Sequence, residues 1–498
     1  MRDLAEPMEH VDVLIIGAGL SGISAAWHLQ HECPALSYVI LEERERVGGT
    51  WDLFRYPGIR SDSDMYTLGY RFRPWRNAKA IADGPSIKAY IVETARQYDI
   101  DRHIRLQHKL VQASWSSDDA RWTVTLEVGA ARRYVQMTCM FLHSCAGYYD
   151  YADGYTPAWE GVSSYRGRLV HPQHWPAELD YAGQRVLVIG SGATAVTLVP
   201  ALTTGAGAAA HVTMLQRSPT YMAVLPSSDA IANALRAILP ANVAYAITRW
   251  KNIARSMFYF WVARAYPAIF KRSLRVDARK HLGTDFPVDE HFSPRYKPWD
   301  ERLCIVPDGD LFDALRDGRA SIVTDRIVRF DESGVHLESG QHIAADLIVM
   351  ATGLRMSLLT GVTLTVDDAP LDISAQLVYK GMMLSNLPNF AMSVGYTNAS
   401  WTLKSDLIAQ HVCRLLTLMR SRGYAQVTPR RDPAMPGSSV FEFTSGYVQR
   451  AQAILPKQGT AAPWRLYQNY VKDLLMLRYA RVDDPALEFR AAPCFDVP

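Results

Sequence analysis

Two short apolar runs in this chain each lead into a glycine motif and then a helix-like segment. This repeat constrains the fold more than any other feature. Val11–Ile16 reads VDVLII, with the length and apolar character of a buried parallel strand. Gly17-Ala18-Gly19-Leu20-Ser21-Gly22 follows, then a helix to about Gln30 and a second strand, Tyr38–Leu41, ending in Glu42. Strand, GxGxxG, helix, strand and acid occur in that order, with the acid 25 residues past the first glycine. That context is the signature of a dinucleotide-binding βαβ unit. Gly17 permits the tight turn, Gly19 lets the backbone approach a pyrophosphate, and Gly22 lets the helix pack on the strand. The helix N-terminus offers N–H groups to phosphate, and Glu42 accepts hydrogen bonds from ribose hydroxyls.

The second unit differs at one informative place. Arg185–Ile189 (RVLVI) is again a buried strand, followed by Gly190-Ser191-Gly192-Ala193-Thr194-Ala195, with alanine in the third glycine position. The next strand, His211–Leu215, ends in Gln216-Arg217 rather than in an acid. A carboxylate there would repel a 2′-phosphate, whereas a guanidinium can bind it bidentately. The first unit is therefore expected to take a dinucleotide with a free ribose, and the second an NADP-type ligand. Together they indicate a flavoprotein supplied by a nicotinamide, with FAD in the first fold and NADPH docked in the second. A further apolar strand, Asp346–Gly353 (DLIVMATG), ends in a small-residue turn and is expected to return the chain to the flavin domain.

At 498 residues the chain is long enough for two to four domains. The expected class is α/β, with two dinucleotide-binding, Rossmann-like domains, the second carrying a helical insertion. Residues 1–150 and 357–498 would form the FAD-binding domain, 151–220 and 301–356 the NADP-binding domain, and 221–300 the insertion covering the active site. Hydrophobic residues at 48% and charged residues at 21% exclude disordered and disulfide-scaffold classes. A net charge of +3 gives no argument for nucleic acid. The six cysteines (Cys33, Cys139, Cys145, Cys304, Cys413, Cys494) contain no CxxC pair and fit a reducing compartment, the cytoplasm. The opening MRDLAEPMEHVD has no apolar core and is not expected to be a signal peptide. The uncharged stretch after Arg185 is broken by glycines and Pro200, so it reads as strand, turn and buried helix rather than a membrane span.

Residues 221–300 break the βα alternation. Segments 228–239 and 241–282 read as helical and rich in aromatics, and nine basic residues and one acid lie between Arg249 and Lys280. An insertion of this length in a catalytic domain is commonly a lid, and that reading is preferred. The other reading is a basic amphipathic surface over 249–280 in weak peripheral contact with anionic lipid. Nothing in the sequence speaks to oligomeric state.

Two longer patterns carry a family resemblance. Tyr165-Arg166-Gly167-Arg168-Leu169-Val170-His171-Pro172-Gln173-His174-Trp175-Pro176 resembles the Baeyer–Villiger monooxygenase fingerprint F-x-G-x-x-x-H-x-x-x-W-P, with Tyr165 in place of Phe. Gly48 to Asp62 matches the family's G-G-x-W-x-x-x-x-Y-P-G-x-x-x-D without a mismatch. The resemblance covers essentially the whole chain. It lies nearest the family's thioamide-activating branch in stretches such as FRYPGIRSDSDMYTLGYRFRPW and GYTNASWTLK. It implies oxidation of an apolar ketone to an ester or lactone with NADPH and O₂ through a flavin C4a-peroxide, with sulfoxidation as a further activity. The alternative is a heteroatom oxygenase acting on sulfur or nitrogen.

The resemblance also implies site residues. Gly17, Gly19, Ser21, Gly22 and Glu42 would hold the FAD pyrophosphate and ribose. Gly49, Thr50, Trp51 and the backbone of Asp52 and Leu53 would lie along the flavin side, Asp62 near its reactive face, and the backbone of Leu110 at the adenine end. Arg60, Ser61, Asp62, Gly190, Ser191, Gly192, Ala193, Thr194, Ala195, Val196, Gln216 and Arg217 would meet NADPH. Arg302 would be the catalytic arginine, with Asp62 as its partner. His171 would sit in the linker that couples the domains and do no direct chemistry. His171 and His174 do not suggest a metal site, because Pro172 lies between them and no Cys, Asp or Glu completes a shell. One departure concerns the residue before Arg302, a lysine in many members that helps bind the 2′-phosphate. Here it is Glu301.

Overall fold

The computed structural model describes residues 8–301, 303–359, 361–441 and 443–491. Arg302 and Cys494 lie outside the described residues. The chain opens with strand β1 (His10–Ile16), helix α1 (Leu20–Glu32) and strand β2 (Tyr38–Leu41). A meander follows: β3 (His108–Ser116), β4 (Arg121–Val128) and β5 (Arg133–Ser144). The first residues of β5 are exposed and pair antiparallel with β4. Its buried second half runs parallel to β1, which in turn runs parallel to β2. One long strand thus carries the chain from a solvated hairpin into the closed parallel core, where both faces are apolar. Thr363–Val366 and Phe390–Met392, from far along the sequence, join the same sheet.

The second sheet is wholly parallel. Its strands are β6 (Arg168–Val170), β7 (Arg185–Ile189), β8 (His211–Gln216), β9 (Ala320–Thr324) and β10 (Leu347–Met350), in the spatial order β9-β8-β7-β10-β6. Helix α2 (Ala193–Leu202) follows β7. The fold is therefore mixed α/β with two nucleotide-binding sheets. The aromatic segment forms three helices, α3 (Ala230–Ile238), α4 (Ala241–Ala265) and α5 (Pro267–Leu282). The break between α4 and α5 falls at Pro267, which takes the first position of α5 because it has no N–H to offer the preceding turn. Among the described residues no helix is long and apolar enough to cross a membrane. The five described cysteines are buried.

A late helix, α6 (Trp401–Arg422), packs on α1 and closes the first domain. The contact contains a buried ionic group. The ring of His28 bonds Glu32 at 2.7 Å and Asp406 at 2.9 Å. Burial alone would depress the His28 pKa, but the two carboxylates outweigh it and raise it from 6.5 to about 9. A raised histidine contributes stability that is complete below its unfolded value and lost as pH rises through the folded one. We expect resistance to urea to fall by on the order of 3 kcal/mol between pH 6.5 and pH 9.5, and His28→Gln to remove that dependence. Parallel urea midpoints for parent and variant across this window would contradict it.

Candidate active site

A cavity of about 830 Å³ runs from the β1–α1 turn to the start of α2. This is near the upper end for small-molecule sites. At its first end the walls are backbone. Gly17 has φ +101°, and a Cβ there would lie 2.7 Å from the Cys145 carbonyl oxygen. A Cβ on Gly49 would lie 3.1 Å from the Gly19 Cα, so two chain segments face each other with no side chain between them. Gly22 lies behind this wall; a Cβ on it would come 1.9 Å from the Gly17 carbonyl oxygen, so only glycine lets α1 sit this close to β1. Helix α1 has no side-chain cap, which leaves its first N–H groups for an anion.

Glu42 ends β2 at the cavity wall and is buried. Its carboxylate accepts from the Ala18 N–H at 2.8 Å and the Arg44 N–H at 3.0 Å. Burial raises its pKa and these two N–H bonds oppose the rise. The group is fixed and desolvated, as a ribose acceptor must be. Ser21 also lines the cavity, and its oxygen accepts from the Trp401 indole at 2.7 Å. Thr50 and Trp51 line it too, with the Thr50 hydroxyl 3.3 Å from that of Tyr151. Leu110 reaches it next to an irregularity in β3–β4 pairing, a place where strands commonly bend toward a site.

The side chains of Asp52 and Leu53, whose backbone is expected along the flavin, have partners elsewhere. The Asp52 side chain is buried among Arg44 and Lys88, each at 2.6 Å, with Arg46 and Arg55 at 3.3 Å. Burial would raise its pKa, but Lys88 and Arg44 hold it below the ordinary carboxylate value. Its work is to hold Arg44, which does line the cavity. Leu53 packs into the core of the second domain.

At the other end Arg60, Ser61, Asp62, Ala193 and Thr194 line the same cavity. Arg60 is paired with Asp310, so it ties this segment to the second domain. Gly190 has φ +137°, and a Cβ there would meet the Ala351 carbonyl oxygen at 2.2 Å. The Ser191 hydroxyl is 2.7 Å from that of Thr220. Gly192 precedes α2, which has no side-chain cap. Ala195 and Val196 lie in the domain core. Gln216 is buried at the end of β8, its side-chain NH₂ donating to the His291 carbonyl and to the Thr324 hydroxyl, each at 2.8 Å, while its own carbonyl oxygen has no partner among the described residues.

Arg217 sits in a charged neighbourhood that the sequence does not reveal. Burial raises the Glu301 pKa and the charge of Arg217 opposes that rise, so the carboxylate in the lysine's place faces this arginine. Arg450, more than two hundred residues downstream, is lowered by burial and by repulsion from Arg355 and Arg217. Its guanidinium stacks 3.5 Å from the Tyr155 ring centroid. Arg450 and Arg355 thus add positive charge near Arg217.

The chain crosses between the two sheets on strands Tyr149–Gly154 and Leu354–Met356, which pair antiparallel. The His171 ring sits on this crossing. Its Nε2–H donates to the Gly353 carbonyl at 3.3 Å while Nδ1 accepts from the Gln173 N–H at 3.2 Å. A Cβ on Gly154 would lie 1.9 Å from the ring. Gln173 and His174 bond the Asp150 and Ala152 carbonyls at 2.9 and 2.8 Å. Outside the cavity, Asp331, His336 and His342 bring three metal-capable atoms together. The two imidazoles sharing one carboxylate account for that arrangement without an ion.

The first end fits a dinucleotide through an uncapped helix, facing backbones without Cβ atoms and a buried acceptor, and the second offers another uncapped helix, with Arg217 outside the residues that line the cavity. Comparison with known proteins agrees. Residues 15–83 match a NAD(P)-binding Rossmann-like domain and residues 80–227 the flavin-binding monooxygenase-like family. The FAD-containing monooxygenase EthA of Mycolicibacterium smegmatis is 52% identical over 97% of each chain. EthA of Mycobacterium tuberculosis is 51% identical over 97% of this chain and 99% of its own. A steroid monooxygenase solved with NADP shares the fold at a TM-score of 0.74, with 21% identity over 96% of this chain and 99% of that one. With half its residues identical to such relatives along nearly their whole length, the chain belongs to the family of FAD-containing monooxygenases.

Proposed function

We propose that this chain is a cytoplasmic monooxygenase that uses NADPH and O₂ to insert one oxygen atom beside the carbonyl of an apolar ketone, giving an ester or lactone, and that it can also pass oxygen to sulfur. The observation that carries this reading is that both nucleotide turns open into one cavity, with Gly17, Ser21 and Glu42 at one end and Asp62, Ala193 and Thr194 at the other. When bound, FAD supplies the redox chemistry, taking hydride from NADPH and passing electrons to O₂. The chain's own groups bind, orient and neutralise. Residues 1–150 and 357–498 would hold FAD, residues 151–220 and 301–356 would hold NADPH, and 221–300 would cover the site. Arg302 would supply a cation that stays charged when buried, to stabilise the negative adduct formed during oxygen insertion. Asp62 would fix its direction.

The test is mass analysis of products from aliphatic, cyclic and aryl ketones and a sulfide under isotopically heavy O₂. Esters or lactones carrying one heavy oxygen support the reading. Sulfoxide alone would make the chain a heteroatom oxygenase, and no NADPH-dependent product would overturn both. Cofactor choice is tested separately. Removing a charge-assisted phosphate contact costs about 1.5–3 kcal/mol. Arg217→Ala is therefore expected to raise KM for NADPH by about tenfold to a hundredfold with little change for NADH. Glu301→Lys should move KM for NADPH the opposite way. Equal shifts for the two coenzymes in Arg217→Ala would show that this arginine does not read the 2′-phosphate.

A further inference from the structure

Helix α4 has a buried face that carries polar anchors and an exposed face that is apolar. One packs on the 64–70 segment beside the cavity. There the Tyr245 hydroxyl donates to the Tyr70 carbonyl at 3.0 Å, Arg249 donates to the Tyr66 and Gly69 carbonyls at 2.7 and 2.8 Å, and Asn252 donates to Asp64 at 2.9 Å. On the opposite face Val243, Ile247, Trp250, Phe258 and Trp261 are each 45–58% exposed, with Ala254 exposed among them. At about 100° per residue these six positions fall within an arc of about 80°, a stripe roughly 27 Å long. Trp261 meets Tyr266 edge-on with 5.7 Å between ring centroids. The stripe then continues onto α5 with exposed Ile269 and Val276, between which lies exposed Arg272, with Lys280 beyond. An apolar surface of this extent marks an interaction site.

We propose that this outer face of α4 and α5 docks on an anionic lipid bilayer. Charge selects that occupant. Nine basic residues and one acid lie between Arg249 and Lys280. Lys251, Arg264, Arg275 and Arg279 are paired with Asp229, Asp300 and Asp289. Among the described residues Arg255, Arg272 and Lys280 have no ion-pair partner and remain for lipid phosphate. A second copy docked through the same patch would set basic surface against basic surface, as a two-fold contact requires. Tryptophan and tyrosine beside arginine suit the boundary between headgroups and acyl chains, where an aromatic body and a charged tip are both satisfied.

The test is co-sedimentation of the full-length, flavin-loaded protein with vesicles of phosphatidylcholine, alone or mixed with phosphatidylglycerol, at low and high salt. The expected result is binding to the mixed vesicles at low salt, weaker by about tenfold on neutral vesicles or at high salt. Phe258→Glu/Trp261→Glu should abolish it. Arg255→Glu/Arg272→Glu/Lys280→Glu should weaken it by about tenfold and decides the matter if the first variant fails to fold. Absence of sedimentation with the mixed vesicles overturns the proposal, as does sedimentation that neither variant changes. A concentration-dependent dimer broken by Phe258→Glu/Trp261→Glu, without vesicle binding, would assign the face to a second copy. Binding is read without turnover, so failure here leaves the oxygenation reading untouched.

Discussion

Glu42→Ala is expected to give a folded chain that purifies without flavin and regains it only at concentrations about a thousandfold higher than the parent requires. The carboxylate has two tasks that alanine removes together. It satisfies the Ala18 and Arg44 N–H groups at 2.8 and 3.0 Å, and it faces the cavity where a ribose would lie. The unsatisfied N–H groups weaken the fold, while flavin affinity falls by the lost ribose contacts: a hydrogen bond to a charged acceptor is worth about 1.5–3 kcal/mol and a ribose offers two hydroxyls, so the loss in binding is about 4 kcal/mol. Glu42→Gln should fall between the two, because its amide can accept from one N–H but presents an NH₂ group to the other. Flavin absorbance at purification and a titration with FAD measure this. A Glu42→Ala protein carrying stoichiometric flavin would show that the acid end of β2 does not hold the ribose.

Arg302→Ala is expected to keep its flavin and to continue oxidising NADPH, while oxygenated product falls by at least about a hundredfold. The electrons must still go somewhere, and the expected sink is hydrogen peroxide, formed from O₂ and one equivalent of NADPH. This split separates a residue that stabilises oxygen insertion from one that merely joins two domains, since the latter would impair reduction as well. Arg302→Lys should recover only part of the product, because an ammonium lacks the planar fork and loses its proton more readily when buried. Full ester formation by Arg302→Ala would remove this arginine from the chemistry.

The parts of the site legible in the sequence are those that the local backbone dictates. A glycine at a φ of +101° or +137° must be glycine, and the acid or arginine after the next strand follows at a set distance. Gly17, Glu42 and Gly190 could be read for that reason, whereas the segment 241–282 reads as one helical stretch and its break at Pro267 emerges only in the structure. What the sequence conceals is set by long-range packing. Trp401 bonds Ser21 from 380 residues away, and Arg450 approaches Arg217 from a different domain, with no local motif to announce either. The side-chain partners of Asp52 and Gln216 are equally hidden, because position in a motif fixes where the backbone goes, not which neighbour a side chain prefers. Four cations claim Asp52, and a carbonyl with a hydroxyl claims Gln216. The exposure of the α4 aromatics is hidden likewise: Tyr245 is buried while Trp250, Phe258, Tyr259 and Trp261 are exposed, and only packing decides which side of a helix each neighbour covers.

The account stands most directly on electron transfer between two coenzymes in one cavity. The decisive measurement is an anaerobic titration of the purified chain with NADPH, followed by its flavin absorbance. Bleaching complete at one equivalent of NADPH, with NADH effective only at much higher concentration, is the predicted result. A chain that stays colourless after incubation with FAD, or whose flavin NADPH cannot reduce, would contradict it.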